Sequence, residues 1–495
     1  METIAHLIDG ERVEAAPLGS QPVLNPATGE AIRSVGLGDA GLVDRAVASA
    51  AAAQQDWAEQ SLAARQRVFF RYRELLVAHT DELCTLISEE HGKVLGDARG
   101  EFARGVEVVE FATALPQLLK GQFSDSVSRS VDVRSLRQPL GVAAGITPFN
   151  FPAMVPMWMF PIALAVGNGF VLKPSERDPS ASVRLAELFV EAGGPPGLLN
   201  VVHGGPATVD AILAHPGIRA VSFVGSTPIA RHVYESAARS GKRVQALGGA
   251  KNHMVVLPDA DREQVVDAAI AAAFGSSGER CMAIAVLVVV GEQPGLVDEI
   301  AARMGSVRVG PATDPTAEMG PLITEAHRDR VARLIEEAVS KGAKAIVDGR
   351  AHPAAAGPGF FLGPTLLDQV DVAMDAYKEE IFGPVLLVQH ADDLDEAVAL
   401  VNRNPYANGA AIFTRDGGAA RRFVRSIDAG MVGVNVPIPV PVAYHSFGGF
   451  KLSLFGDTHV HGEEGVRFYT RGKVVTERWP DEASEARSLH FVTNR

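Results

Sequence analysis

The 495-residue chain carries 59 acidic and 46 basic side chains, a formal net charge of −13, with hydrophobic residues at 47% and charged residues at 21%. That composition excludes disordered, collagen-like and fibrous classes, and an acidic balance without long runs of one sign disfavours a nucleic-acid partner. No apolar stretch approaches the ~20 residues that a bilayer span requires, and the first residues lack the zones of a secretory or transit leader, so a cytoplasmic location without membrane contact is expected.

Near the N-terminus, residues 31–35 alternate apolar with polar side chains, as a half-exposed strand does. Gly36, Gly38 and Gly41 then match a dinucleotide-binding spacing. That motif means little outside a buried strand–turn–helix unit, so the glycines are read as a turn, with Asp39 capping the next helix. An alanine-rich helix follows over 44–55 and a longer helical region over 62–120. Residues 124–138 alternate polar with Val and Leu, predicting an exposed strand pair of the kind often covered by another subunit.

From residue 142 the pattern changes. Short apolar runs at 142–146, 170–173, 199–202, 220–224 and 243–247 alternate with segments long enough for crossover helices. This predicts a parallel, nucleotide-binding α/β sheet of five strands. A second α/β series has strands near 254–257, 284–290, 345–348, 385–389, 409–414 and 431–434, with helices over 262–274, 325–341 and 417–427. A last strand is expected over 466–475.

Four segments in these series carry candidate chemistry. Thr147-Pro148-Phe149-Asn150-Phe151-Pro152 joins the first buried strand to its helix, where the Asn150 amide is either an oxyanion donor or an ordinary cap. Lys173-Pro174-Ser175-Glu176 ends the second strand, at the edge where such sheets bind ligands, and reads as a cofactor contact or a solvated charge pair. A carboxylate there suits ribose hydroxyls and repels a 2′-phosphate, favouring NAD over NADP. Phe223-Val224-Gly225-Ser226 opens another helix, with Ser226 as a cap or a phosphate ligand.

The chain has two cysteines, too few for a disulfide framework or a structural zinc site. Cys84 sits in an apolar run and reads as inert core, whereas Cys281 follows Gly278-Glu279-Arg280 in a glycine-bearing loop. The neighbouring cation predicts an unusually acidic thiol. The 14 histidines show no convincing metal spacing, His459 and His461 read as loop residues, and no metal is expected.

Together with Glu379-Glu380-Ile381-Phe382-Gly383-Pro384, these segments resemble the aldehyde dehydrogenase superfamily over essentially the whole chain. The resemblance implies a Rossmann-type NAD-binding domain (1–121 and 139–246), an α/β catalytic domain (247–441), and a small β oligomerisation element with a C-terminal tail (122–138 and 465–495). It further implies Cys281 as nucleophile, with Asn150 and the Cys281 amide as oxyanion donors. Thr147, Phe149, Lys173, Glu176, Arg177, Ser226 and Glu379 are implied NAD contacts, Glu379 at the nicotinamide ribose.

Hydrolytic members carry a general-base Glu before a Gly-Gly-Lys segment, but residues 245–253 here contain no carboxylate. That stretch, with Arg280-Cys281-Met282-Ala283 and Pro437-Ile438-Pro439-Val440-Pro441, is similar to the methylmalonate-semialdehyde dehydrogenase branch. The branch implies coenzyme A as co-substrate, Arg104 and Arg280 on the substrate carboxylate, and a homotetramer. The alternatives are a hydrolytic aldehyde dehydrogenase releasing a free acid, a catalytically silent NAD-binding scaffold and, for the two arginines, plain salt bridges.

Overall fold

The computed structural model describes residues 2–479; residues 480–495 of the expected C-terminal tail lie outside the described residues. The first sheet contains the five expected parallel strands, Val142–Ile146, Gly169–Lys173, Leu199–Val201, Ile218–Val224 and Arg243–Leu247. Numbered along the chain, they lie side by side in the order fifth, fourth, first, second, third. The chain therefore leaves the first strand in one direction and later returns to its other side. The carboxyl ends of Val142–Ile146 and Ile218–Val224 flank the resulting crevice, the usual ligand position in an open α/β sheet.

Period-two geometry explains the uninterrupted apolar runs. Phe170 and Leu172 face Phe160 and Leu188 on one side of the sheet, while Val171 faces Val43, Val47 and Ile212 on the other. Helix Met154–Ala165, which follows Asn150, is buried on its whole circumference, as its lack of polar residues requires. His6–Ile8 and Glu11–Val13 extend one edge of this sheet antiparallel, and Leu454–Phe455 extends the other.

The second sheet runs Lys344–Val347, Thr365–Asp368, Val385–Ala391, Ile284–Val290, Asn252–Val256, Gly409–Phe413, Met431–Val434. All neighbours are parallel except the first pair. Thr365–Asp368 is not an expected strand, having only two apolar residues behind Gly363-Pro364; its Leu366 and Leu367 fill opposite faces of the sheet.

Three other expectations are refined. Strand Glu30–Gly36 belongs to a separate small sheet with Ser20–Asn25 and Thr3–Ile4, outside the five-strand parallel sheet. Asp39 does cap the next helix, accepting a hydrogen bond from the Leu42 amide at 3.1 Å. The region 62–120 divides into Leu62–Ala78, Thr80–His91, Leu95–Thr113 and Leu115–Leu118. Gly92 ends the second of these at φ +87°, where a Cβ would lie 2.6 Å from the Pro321 ring.

The exposed pair is Phe123–Ser128 and Val131–Pro139, and Thr470–Arg478 of the same chain adds to it antiparallel through nine residue pairs. The last strand thus starts at Thr470, because 466–468 belongs to helix Gly462–Phe468. Among the described residues, no helix is long and apolar enough to cross a membrane.

Candidate active site

Helix Arg262–Phe274 runs into a tight turn, Gly275–Gly278, in which Ser276 and Ser277 adopt left-handed φ values of 51° and 56°. Such conformations cost about 1–3 kcal/mol each and persist only where neighbours hold them. Here the Ser276 amide donates to Asp97 Oδ2 (2.8 Å) and Ser277 Oγ to the Gly320 carbonyl (2.6 Å). Gly278 lies against the Gly383 carbonyl, where a Cβ would sit 2.2 Å from the oxygen. Beyond the turn, the Cys281 carbonyl accepts from Asn252 Nδ2 at 2.9 Å and Asn408 Nδ2 at 3.2 Å. Cys281 is thereby fixed from both sides and keeps part of its surface open.

Asn150 reaches this loop from the first sheet. Its Nδ2 donates to the Glu279 carbonyl at 3.0 Å, two residues before Cys281. The other amide hydrogen remains for a ligand. Its own carbonyl accepts from Lys93 Nζ at 2.7 Å, and Lys93 pairs with Glu101 at 2.6 Å. Glu101 in turn accepts the Ala153 and Met154 amides at the head of the buried helix. A buried ion pair thus ties the Asn150 backbone to a helix terminus, which restrains the side chain. No sequence signal marked Lys93 or Glu101. The Glu279 carboxyl is fully buried, with the Ile323 amide on Oε1 (3.1 Å), and burial pushes it up to about 8.

The expectation of an acidic Cys281 is corrected. Burial, reinforced by the Glu380 carboxylate, pushes the thiol up to about 12; the Arg280 guanidinium, paired with Asp97 at 2.7 Å, opposes this shift without overcoming it. Below such a value the thiolate fraction grows tenfold per pH unit. Alkylation of Cys281 in the cofactor-free protein should therefore accelerate about tenfold per unit from pH 7 to 9. A rate that levels off near pH 7, followed by mass spectrometry of the modified peptide, would contradict this environment.

Glu379 is also displaced from its expected place. Its side chain is 54% exposed and pairs with Arg330 at 2.9 Å. The next residue, Glu380, enters the Cys281 pocket instead, alongside Phe382 and Arg280. The backbone at Glu379 is extended (φ −90°, ψ 152°), so successive side chains point to opposite sides. Buried Lys251 holds this turn by donating to the carbonyls of Ala376 and Glu379. Glu380 Oε1 accepts the Ala250 amide at 2.9 Å, and burial raises its carboxyl to about 7. The stretch 245–253, which has no carboxylate of its own, thus receives one from another element.

The remaining implied NAD contacts gather at the sheet's carboxyl edge. The Thr147 amide donates to the Lys173 carbonyl at 3.1 Å, which locks the ends of two adjacent strands together. Lys173 Nζ meets Glu176 Oε2 at 2.8 Å. Burial works against the charged Glu176 but Lys173 outweighs it, holding the carboxyl below its usual range. Ser226 stands at the N-terminus of helix Thr227–Arg239 without using its hydroxyl as a cap. Buried Thr147 Oγ1 is likewise unpartnered. Arg177 lies 6.0 Å over the Phe149 ring, which packs edge-on against Phe382 at the entrance to the Cys281 pocket. Unused hydroxyls, a helix N-terminus and a carboxylate beside one crevice fit a dinucleotide.

Of the two arginines, Arg280 lines the Cys281 pocket. Arg104 instead binds Glu107 (2.7 Å) and the carbonyls of Val440 and Pro441 (3.3 and 2.7 Å), clasping the proline-rich loop to helix Leu95–Thr113.

The chain is similar to known proteins over nearly its whole length. The model of the aldehyde dehydrogenase family matches residues 13–475. A malonate-semialdehyde dehydrogenase of Pseudomonas aeruginosa is 53% identical over 491 residues, covering 99% of each chain. Malonate-semialdehyde dehydrogenase 3 of Geobacillus kaustophilus is 49% identical over 482 residues, 97% of this chain and 99% of that one. A methylmalonate-semialdehyde dehydrogenase structure from Oceanimonas doudoroffii superposes with a TM-score of 0.96 at 52% identity, covering 97% and 99% of the two chains. A Sinorhizobium meliloti structure complexed with NAD, described as a methylmalonate-semialdehyde dehydrogenase, gives 0.96 at 51% identity, covering 98% and 99%. With a family match over residues 13–475 and relatives 49% and 53% identical along nearly the whole chain, the protein belongs to the aldehyde dehydrogenase family.

Proposed function

We propose that the enzyme oxidises malonate semialdehyde or methylmalonate semialdehyde with NAD and coenzyme A, forming acetyl-CoA or propionyl-CoA and carbon dioxide through a thioester on Cys281. The observation that carries the chemistry is the convergence of Cys281 and Asn150 on one loop, with the Asn150 amide 3.0 Å from the carbonyl of Glu279. The substrate class rests on the relatives' names and on Arg280 beside the thiol.

In this scheme the Cys281 thiolate adds to the aldehyde carbon, and Asn150 with the Cys281 amide receives the oxyanion. NAD, when bound, supplies the hydride acceptor. It is held by Ser226 at the helix N-terminus, Lys173 and Glu176 at the adenosine ribose, and Thr147, Phe149 and Arg177 along the crevice. Glu380, in place of Glu379, is assigned to the nicotinamide ribose. Arg280, with Arg104 holding the loop opposite, receives the substrate carboxylate. The bond to that carboxylate breaks toward the thioester carbonyl, carbon dioxide leaves, and the carbon takes a proton from solvent. The coenzyme A thiolate then displaces Cys281, so no carboxylate base is needed to activate water.

One observation favours the hydrolytic rival: Glu380, raised to about 7 in the Cys281 pocket, is suited to deprotonate water. Omitting coenzyme A separates the two. We expect one equivalent of NADH per site followed by a stall, and acyl-CoA with carbon dioxide only when coenzyme A is added. Sustained turnover to a free acid without coenzyme A, identified by mass spectrometry, would favour hydrolysis.

The exposed sheet of Phe123–Ser128, Val131–Pro139 and Thr470–Arg478 is the proposed contact of a homotetramer, with Phe123 63% and Val474 69% exposed.

A further inference from the structure

The Arg280 guanidinium is gripped from two sides by groups that the chemistry above does not use. Asp97, in the first turn of helix Leu95–Thr113, takes Arg280 Nη2 on Oδ1 at 2.7 Å and the Ser276 amide on Oδ2 at 2.8 Å. One carboxylate therefore holds both the strained turn and the arginine that follows it. Opposite Asp97, Gly275 lies flat against the guanidinium. A Cβ there would stand 2.4 Å from Nη1 and 2.6 Å from Cζ and Nη2. The backbone at Gly275 has φ −55°, which any residue adopts. Only the closeness of Arg280 explains why a side chain is unwelcome.

A guanidinium has five N–H donors, and among the described residues Arg280 uses one of them, toward Asp97. An arginine with one corner fixed and its back against a glycine keeps a defined N–H edge for a second, bidentate partner.

We infer that Asp97 and Gly275 are positioning residues that set the orientation in which Arg280 meets the substrate carboxylate beside Cys281. This rests on the proposed carboxylate role of Arg280. Neither residue touches the substrate. Their influence passes through one side chain, so it must be larger for an aldehyde that bears a carboxylate than for one that does not.

The quantity to measure is the ratio of kcat/KM for malonate semialdehyde to kcat/KM for propanal, in D97N, G275A, R280L and the D97N/R280L double variant. Asparagine retains the shape of Asp97 but cannot accept from both donors at once. Loosening of the Ser276 turn lowers both activities alike and leaves the ratio unmoved. Loss of Arg280 orientation lowers the ratio, by about tenfold in D97N and G275A, the scale of one charge-assisted hydrogen bond. In the R280L background, D97N should lower the ratio no further.

G275A keeps the test decisive if D97N does not fold, because the atoms nearest its methyl belong to the flexible end of Arg280. If R280L depresses both substrates equally, the carboxylate reading of Arg280 fails and takes this inference with it, while the Cys281 chemistry stands. If R280L is selective but D97N and G275A leave the ratio within twofold of wild type, or D97N adds its full effect to R280L, the positioning role alone is overturned.

Discussion

Cys281→Ala is expected to abolish aldehyde-dependent NADH formation, a loss of roughly 10⁴-fold or more, while NAD binding stays close to that of the parent enzyme. In the proposed scheme the Cys281 sulfur carries the acyl chain, and an alanine leaves the carbonyl contacts of residue 281 with Asn252 and Asn408 in place. Apart from Glu380, the proposed dinucleotide contacts lie on the other sheet's edge, and the substitution removes none of them, so quenching of protein fluorescence by NAD should titrate almost unchanged. Turnover that survives the substitution would end the thioester mechanism. An inactive parent enzyme that nonetheless binds NAD would revive the scaffold alternative.

For Asn150→Ala a fall in kcat of about 10²–10³ is expected, the usual consequence of removing one preorganised oxyanion donor. An oxyanion donor is effective only when it is held rigidly. Lys93 and Glu101 fix the Asn150 backbone, and the Glu279 carbonyl takes one side-chain hydrogen, leaving the second directed by the first. Asn150→Asp keeps the shape but removes both donors and adds repulsion toward an oxyanion, so it should be at least as damaging. Rapid-mixing measurement of the first NADH formed isolates this step from product release. A loss under fivefold in both variants, with unchanged melting temperatures, would reduce Asn150 to a loop brace.

The parallel strands of both sheets were legible because strands buried on both faces must be continuously apolar, a pattern that survives without knowledge of neighbours. Thr365–Asp368 escaped since Leu366 and Leu367 are its only apolar residues and it has no β-branched run. The candidate nucleophile and its asparagine were visible through their motifs. Their surroundings were not: Lys93 and Glu101, eight residues apart, meet Asn150 only after the helices pack.

The choice between Glu379 and Glu380 shows where such inference stops. Two identical residues stand side by side, and sequence has no means of saying which of them an extended backbone turns inward. Lys251, more than a hundred residues earlier, pins the turn that decides it. The same limit misjudged the thiol. Adjacency to Arg280 promised a thiolate, but that guanidinium is also paired with Asp97, and burial of Cys281 outweighs its effect on the thiol. The order of amino acids was sufficient for the two-sheet architecture and for singling out Cys281 as the candidate nucleophile, since both depend on local pattern. The electrostatic setting of that sulfur, the carboxylate that faces it and the orientation of Arg280 arise from contacts between distant segments, and these exist only once the chain has folded.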